Sequence, residues 1–338
     1  MTAQQNPPEA PTGARQDDVG QDDVGQDDIR AAHALIAAHV RRTPILESAS
    51  PLAGAPAISM KLEFLQHTGS FKPRGAFVNL LTRPAPSVGC ATASGGNHGA
   101  AVAYAAAKLG VKARIFVPEI ATAVKIAKIK AYGAEVIVAG GTYFDAQVRC
   151  DAYVAESGAL KIHPFDAPET VAGQGTVALE WEEDLARLGF APLDAVLVAV
   201  GGGGLISGVA AWFDNRVKVV GVEPEGSRAL DAALAARRPV DVPVLSIAAD
   251  SLGARAVGAL NLTIARRAVD HVALVADEAI RAAQLALWRN FSIVAEPGGA
   301  AAYAALASGA YRPAAGERVG VLLCGANADL AALIPAAV

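Results

Sequence analysis

Val198-Ala199-Val200-Gly201-Gly202-Gly203-Gly204-Leu205-Ile206-Ser207-Gly208 is the stretch that decides the fold of this 338-residue chain. Ala195 to Val200 is apolar and β-prone, as a strand buried on both faces must be. Leu205 to Trp212 reads as a helix. The four glycines between them carry no Cβ atoms, so another group can approach the main chain closely. A strand, a glycine turn and a helix start together turn bare N–H groups and a helix dipole towards an anion. No Lys-Ser or Lys-Thr follows, so the turn is not a nucleotide P-loop, and its spacing is not that of a dinucleotide fingerprint. It reads as a phosphate cradle in an α/β protein.

Outward from this stretch the chain alternates. Apolar runs at Arg114 to Val117, Glu135 to Val138, Val217 to Val222 and Arg318 to Leu323 read as buried strands. Helical stretches at Ala101 to Leu109, Ala121 to Tyr132, Tyr143 to Glu156 and Thr176 to Leu188 lie among them. Strands separated by helices imply right-handed crossovers and parallel sheets covered on both faces, with ligands at the carboxyl ends of the strands. A composition that is 53% hydrophobic supplies enough apolar surface for a large core in two lobes. A net charge of −4 with no basic stripe excludes nucleic acid as an expected partner. No apolar run is long enough to span a bilayer, and no signal-peptide pattern opens the chain, so no membrane partner is expected. Cys90, Cys150 and Cys324 are scattered and odd in number, which fits a reducing compartment; a cytoplasmic protein is expected.

Residues 1–28 stand apart. A tandem pentapeptide runs Gln16-Asp17-Asp18-Val19-Gly20, Gln21-Asp22-Asp23-Val24-Gly25, Gln26-Asp27-Asp28-Ile29. Acidic, low-complexity sequence buries too little apolar area to offset its ordering entropy, so a disordered tail is expected. Asp28 is placed to cap a helix from Ile29 to Val40, which Thr43-Pro44 ends.

Two further segments carry chemistry. In Ser70-Phe71-Lys72-Pro73-Arg74-Gly75-Ala76 a lysine sits between an aromatic and a proline, near the fixed charge of Arg74. Desolvation and a neighbouring cation both favour the neutral amine, the form that condenses with an aldehyde as a Schiff-base lysine. In Ala93-Ser94-Gly95-Gly96-Asn97-His98-Gly99-Ala100 an apolar stretch, Val88 to Ala91, again leads through glycines into a helix. Ser94, the backbone N–H groups and the helix start form a candidate carboxylate site, and Asn97 offers both a donor and an acceptor.

These motifs, with Cys324-Gly325-Ala326-Asn327, occur in the order seen in the fold-type II family of pyridoxal-phosphate enzymes, the tryptophan-synthase-β-like class. The chain most resembles its serine/threonine dehydratases and serine racemases, from about Ile29 to Leu330. Supporting stretches are Val171 to Thr176, Gly221 to Pro224 and Glu296 to Ala300.

The resemblance implies two parallel-sheet α/β lobes: residues 29–88 and 166–338 as the large cofactor-binding lobe, and 89–165 as the small one. It implies pyridoxal 5′-phosphate held on Lys72, with Phe71 near the ring and Asn97 on its 3′-oxygen. Gly201, Gly202, Gly203, Gly204 and Leu205 would cradle the phosphate, and Cys324 would face the pyridine nitrogen. Ser94, Gly96, Asn97 and His98 would hold the substrate carboxylate. Lys72 would take the Cα proton, and the cofactor phosphate would protonate the departing hydroxyl.

The expected activity is that of an ammonia-lyase: β-elimination of water from L-threonine and/or L-serine to a 2-oxo acid and ammonia. The alternatives are serine racemase, 3-hydroxyaspartate dehydratase and a non-catalytic pyridoxal-phosphate-binding homologue. Racemase relatives carry a serine at the position of Gly95, which has no side chain to move a proton, so elimination is favoured over racemisation. Glu223 and Ser227 stand where relatives hold a cation, but Ala229 replaces a carboxylate. No tight divalent site is therefore expected, and a monovalent cation there is the remaining candidate. A homodimer or homotetramer is expected. The chain ends soon after the last motif, so no feedback-regulatory domain is expected.

Overall fold

The computed structural model describes residues 23–52, 54 and 56–328. Among the described residues ten strands form two sheets. The six-stranded sheet has the order β1 (Ile45–Ser48), β2 (Ile58–Lys61), β10 (Val319–Leu322), β7 (Ala195–Ala199), β8 (Lys218–Pro224) and β9 (His271–Val275). All its neighbours are parallel except the edge pair β1 and β2, which is antiparallel. The four-stranded sheet, wholly parallel, has the order β5 (Glu135–Val138), β4 (Ala113–Val117), β3 (Cys90–Ala93) and β6 (Leu160–Lys161).

The helices are α1 (Gln26–Ile36), α2 (Lys72–Thr82), α3 (Asn97–Lys108), α4 (Ala123–Ala131), α5 (Tyr143–Ser157) and α6 (Pro168–Arg187). They continue with α7 (Gly204–Phe213), α8 (Ala229–Ala236), α9 (Ala249–Leu252), α10 (Ala259–Ala268), α11 (Asp277–Phe291) and α12 (Pro297–Ser308). Helices α3 and α5 pack on the four-stranded sheet, and α7 and α12 on the six-stranded one. Every residue of β7 and β10 is buried, as sequences without a polar alternation require of central parallel strands.

Helix α6 starts at Pro168, two turns before the expected Thr176. Gly173 and Gly175 hid those turns, because glycine lowers helix propensity. Packing explains them. A Cβ on Gly173 would lie 2.6 Å from the Cα of Gly75 in α2, and one on Gly175 would lie 2.8 Å from the carbonyl of Gly208 in α7. Backbone thus meets backbone across three helices.

Part of the tail expectation is corrected. Val24 is buried, Asp23 pairs with Arg267, and α1 already begins at Gln26. Its N-cap is Gly25; Asp28 sits at the third helical position, where its carboxylate accepts from the Gly25 N–H at 2.9 Å. The helix ends at Ile36, short of Val40. The rest of the repeat, residues 16–22, lies outside the described residues.

Beneath the start of α2 lies a buried ion cluster. Arg74 donates from Nε to Glu63 Oε1 at 2.7 Å and from Nη2 to Glu180 Oε2 at 3.0 Å. Lys61 Nζ donates to Glu180 Oε1 at 2.7 Å, and the Thr43 N–H to the same oxygen at 2.7 Å. The charges are mutually compensated, the condition under which a protein interior tolerates them.

Candidate active site

Lys72 is the first residue of α2, with Pro73 next, where its missing N–H costs no helix bond. The preceding turn is pinned by the Phe71 N–H, which donates to the Cys324 carbonyl at 3.2 Å. Lys72 Nζ donates to the Pro164 carbonyl at 2.8 Å and lies 5.0 Å from the centre of the Phe71 ring. Burial pushes the amine down to about 8, against the opposing pull of Cys324 and Glu296. The expected contribution of Arg74 is corrected: its guanidinium is turned into the Glu63–Glu180 cluster, and desolvation lowers the lysine.

Lys72 shares one cleft with Phe71, Asn97, Gly201 to Leu205 and Cys324. Gly203 has φ +98°, a conformation glycine adopts freely. Among the described residues, the N–H groups of Gly201, Gly202, Gly203, Gly204 and Leu205 make no hydrogen bond within the protein. The loop is held from behind: Asn261 Nδ2 donates to the Gly202 carbonyl at 2.9 Å and to the Phe165 carbonyl at 3.0 Å. A Cβ on Gly202 would overlap the Phe165 ring. Free amides at a helix start beside an enclosed amine fit a phosphorylated aldehyde.

The third wall comes from the turn between β3 and α3. Asn97 Nδ2 donates to Glu296 Oε1 at 2.6 Å, and its Oδ1 accepts from Asn327 Nδ2 at 2.6 Å. Ser94 Oγ accepts from the Gly96 N–H at 3.2 Å, closing a local turn. The His98 ring lies outside the cleft lining. Its Nε2 is 3.1 Å from the Ile162 carbonyl, away from the cleft lining, and burial first and Lys72 second push it down to about 3. His98 is a neutral ring that donates to the backbone, and only its own N–H faces the helix start.

Cys324 is buried, its Sγ 3.7 Å from the Gly298 carbonyl, and burial pushes the thiol up to about 12. Glu223 and Ser227 are turned to the backbone. The Glu223 carboxylate accepts from the Leu230 and Asp231 N–H groups at 2.8 and 2.9 Å, and Ser227 Oγ donates to the Leu252 carbonyl at 3.1 Å.

Sequence reasoning missed Glu296, Phe165, Ser251 and Leu252, which also line the cleft. Glu296 caps α12 at the Glu-Pro-Gly-Gly turn, a helix-start signal that could have drawn attention to it. Burial pushes its carboxyl up to about 7, offset in part by the Asn97 hydrogen bond and by Lys125 and Lys128.

A buried lysine and a run of free amides at the carboxyl ends of parallel strands match the fold-type II class of pyridoxal-phosphate proteins, to which the α/β architecture belongs. The chain belongs to the pyridoxal-phosphate dependent enzyme family, whose model matches residues 36–325. It is 40% identical over 303 residues to phenylserine dehydratase of Ralstonia pickettii, covering 86% of this chain and 90% of that protein. It is 35% identical over 306 residues to the biosynthetic L-threonine dehydratase of Escherichia coli, covering 86% of this chain and 59% of that longer protein. The solved structure of maize serine racemase superposes with a TM-score of 0.84 at 34% identity, covering 92% of this chain and 95% of that one.

Proposed function

We propose that the protein is a pyridoxal-phosphate-dependent ammonia-lyase that eliminates water from an L-β-hydroxy amino acid, L-threonine and/or L-serine, to give a 2-oxo acid and ammonia. One observation carries this reading: Lys72 is the only amine among the ionisable residues lining the cleft, Lys72, Glu296 and Cys324. Glu296 Oε1 is engaged by Asn97, Cys324 is a neutral thiol, and the cleft's one serine hydroxyl, Ser251, accepts from the Gly298 N–H at 3.2 Å and donates to the Ala248 carbonyl at 3.4 Å. A single mobile proton acceptor suits elimination; racemisation needs a second on the opposite face.

The bound cofactor supplies an electron-withdrawing ring that acidifies the substrate Cα–H. The N–H groups of Gly201 to Leu205 bind its phosphate, and Asn97 has a second Nδ2 hydrogen free for a ring oxygen. Cys324 is a neutral partner and does not itself enforce protonation of a ring nitrogen. Lys72, with a pKa near that of a working base, takes the Cα proton. The Asn97 and His98 N–H groups at the start of α3 hold the substrate carboxylate. Among the described residues no helix is long and apolar enough to cross a membrane. A cytoplasmic homodimer or homotetramer completes the proposal.

The test is a panel of L-threonine, L-serine, 3-hydroxyaspartate and L-phenylserine assayed for 2-oxo acid, with chiral analysis of recovered serine. Release of 2-oxo acid with little D-serine supports the reading. Absence of 2-oxo acid from all four, or D-serine formed as fast as pyruvate, overturns it.

A further inference from the structure

We propose that Lys128, a residue of α4 outside the cleft lining, is a positioning residue that holds Asn97 in the orientation the cofactor needs. Four side chains run in series between the layers of the molecule. Lys128 Nζ donates to Asn327 Oδ1; Asn327 Nδ2 donates to Asn97 Oδ1 at 2.6 Å; Asn97 Nδ2 donates to Glu296 Oε1 at 2.6 Å. Lys128 and Asn97 belong to helices of the four-stranded layer, whereas Asn327 and Glu296 follow or precede elements of the six-stranded one. The series therefore closes only when the two layers are in register.

Its direction is fixed by its ends. An ammonium can only donate, so the Asn327 oxygen must face Lys128 and its nitrogen must face Asn97. The Asn97 oxygen is then committed to Asn327, and its nitrogen must face Glu296 and the cleft. The second hydrogen of Asn327 goes to the Thr68 carbonyl at 2.9 Å, and that carbonyl also accepts from Lys128 Nζ at 2.9 Å. Thr68 holds φ +63°, an uncommon backbone conformation for a residue with a β-branched side chain, and its hydroxyl has no partner. The carbonyl is thus presented to both donors at the expense of local comfort. A Cβ on Gly69 would lie 2.7 Å from Asn327 Oδ1, so the neighbouring glycine makes room for the amide. Without the ammonium, Asn327 Oδ1 loses its charged donor, the series is loosened at that end, and Asn97 is held in place by Glu296 alone.

This inference rests on the cofactor placement proposed above, with Asn97 as a ring contact. The experiment measures pyridoxal-phosphate affinity, the absorbance maximum of the bound cofactor and the melting temperature of the full-length protein. The variants are Lys128→Met, Lys128→Arg, Asn97→Ala and the Lys128→Met/Asn97→Ala pair. Lys128→Met is expected to weaken cofactor binding about tenfold, the worth of one charge-assisted hydrogen bond, and to move the absorbance as Asn97→Ala does. Lys128→Arg should restore most of both, and the pair should be no worse than Asn97→Ala alone. Should Lys128→Met not fold, Asn327→Ser reads the same link.

Cofactor affinity and absorbance unchanged in Lys128→Met, while Asn97→Ala alters both, overturns the positioning role and leaves the site reading intact. Multiplying effects in the pair do the same. An Asn97→Ala protein with unaltered affinity and absorbance overturns the cofactor placement and the positioning role together.

Discussion

Gly95 and Ala121 face each other so closely that a Cβ on Gly95 would lie 2.7 Å from the Ala121 Cβ. The methyl is not the end of a flexible side chain and cannot swing away. Gly95→Ser alone is therefore expected to displace the segment leading into α4 and cost about 1–3 kcal/mol. In Gly95→Ser/Ala121→Gly the hydroxyl gains its room beside the turn into α3. D-serine formed from L-serine should then rise above the wild-type level, as chiral chromatography will show; no rise in the well-folded pair would mean a second proton acceptor needs more than this serine.

Lys72→Ala is expected to abolish turnover and the borohydride-stable linkage to the cofactor while the circular dichroism spectrum is kept. Finding the cofactor still attached in that variant would remove Lys72 from its role.

The neutral form of Lys72 is the one that attacks an aldehyde, and burial lowers it from 10.5 to about 8. The rate of cofactor capture by the cofactor-free protein should climb with pH and reach half its plateau near pH 8. A midpoint above pH 10, as for a surface lysine, would contradict the enclosed geometry.

Glu180 joins Arg74 to Lys61, and these cations, working against burial, hold its carboxyl below the usual range. A depressed carboxyl stabilises the fold above its unfolded pKa, and that stability is lost as pH falls through the folded value. Glu180→Gln should cost about 3–5 kcal/mol at neutral pH, because two buried cations lose their shared partner. The gap to wild type should narrow below about pH 4, where the unfolded carboxylate protonates. Urea titrations at pH 7 and at about pH 3 measure both.

Val24 is buried and Gly25 caps α1 through Asp28, whereas the acidic repeat before them has no apolar periodicity. Deleting residues 1–22 is expected to leave the melting temperature within about two degrees of the full chain. Deleting through Gly25 should cost about 1.5–3 kcal/mol, the worth of burying one valine, and lower the melting temperature visibly.

The parallel architecture and the phosphate loop were legible because local signals agreed. Ala195 to Val200, the glycines and the helix after them each pointed to the same strand–turn–helix unit. Strand positions were found to within two residues at β4, β5, β7, β8 and β10. The antiparallel edge strand β1 carries no alternation in Ile45–Ser48 and went unread. Glu296 and Lys128 were missed for a different reason. Their partners Asn97 and Asn327 lie 199 residues away in each case, so no local signal shows the pairing, and the helix-start turn at Glu296 marks a boundary without showing what its carboxylate faces. Arg74 was read as a neighbour of Lys72 because they are two apart in sequence, but residues two apart on a helix face different directions.

The glycine contacts joining α2, α6 and α7 act as a calliper. Helix α2 begins at the Lys72 amine and α7 begins at the glycine loop proposed to hold the phosphate. Helix α6 is wedged between them through Gly75, Gly173, Gly175 and Gly208. Because main chain rests on main chain, no rotamer change can alter the span between the two anchor points. Side chains around the substrate can then be exchanged, by mutation or by selection, while the gauge for the cofactor keeps its length.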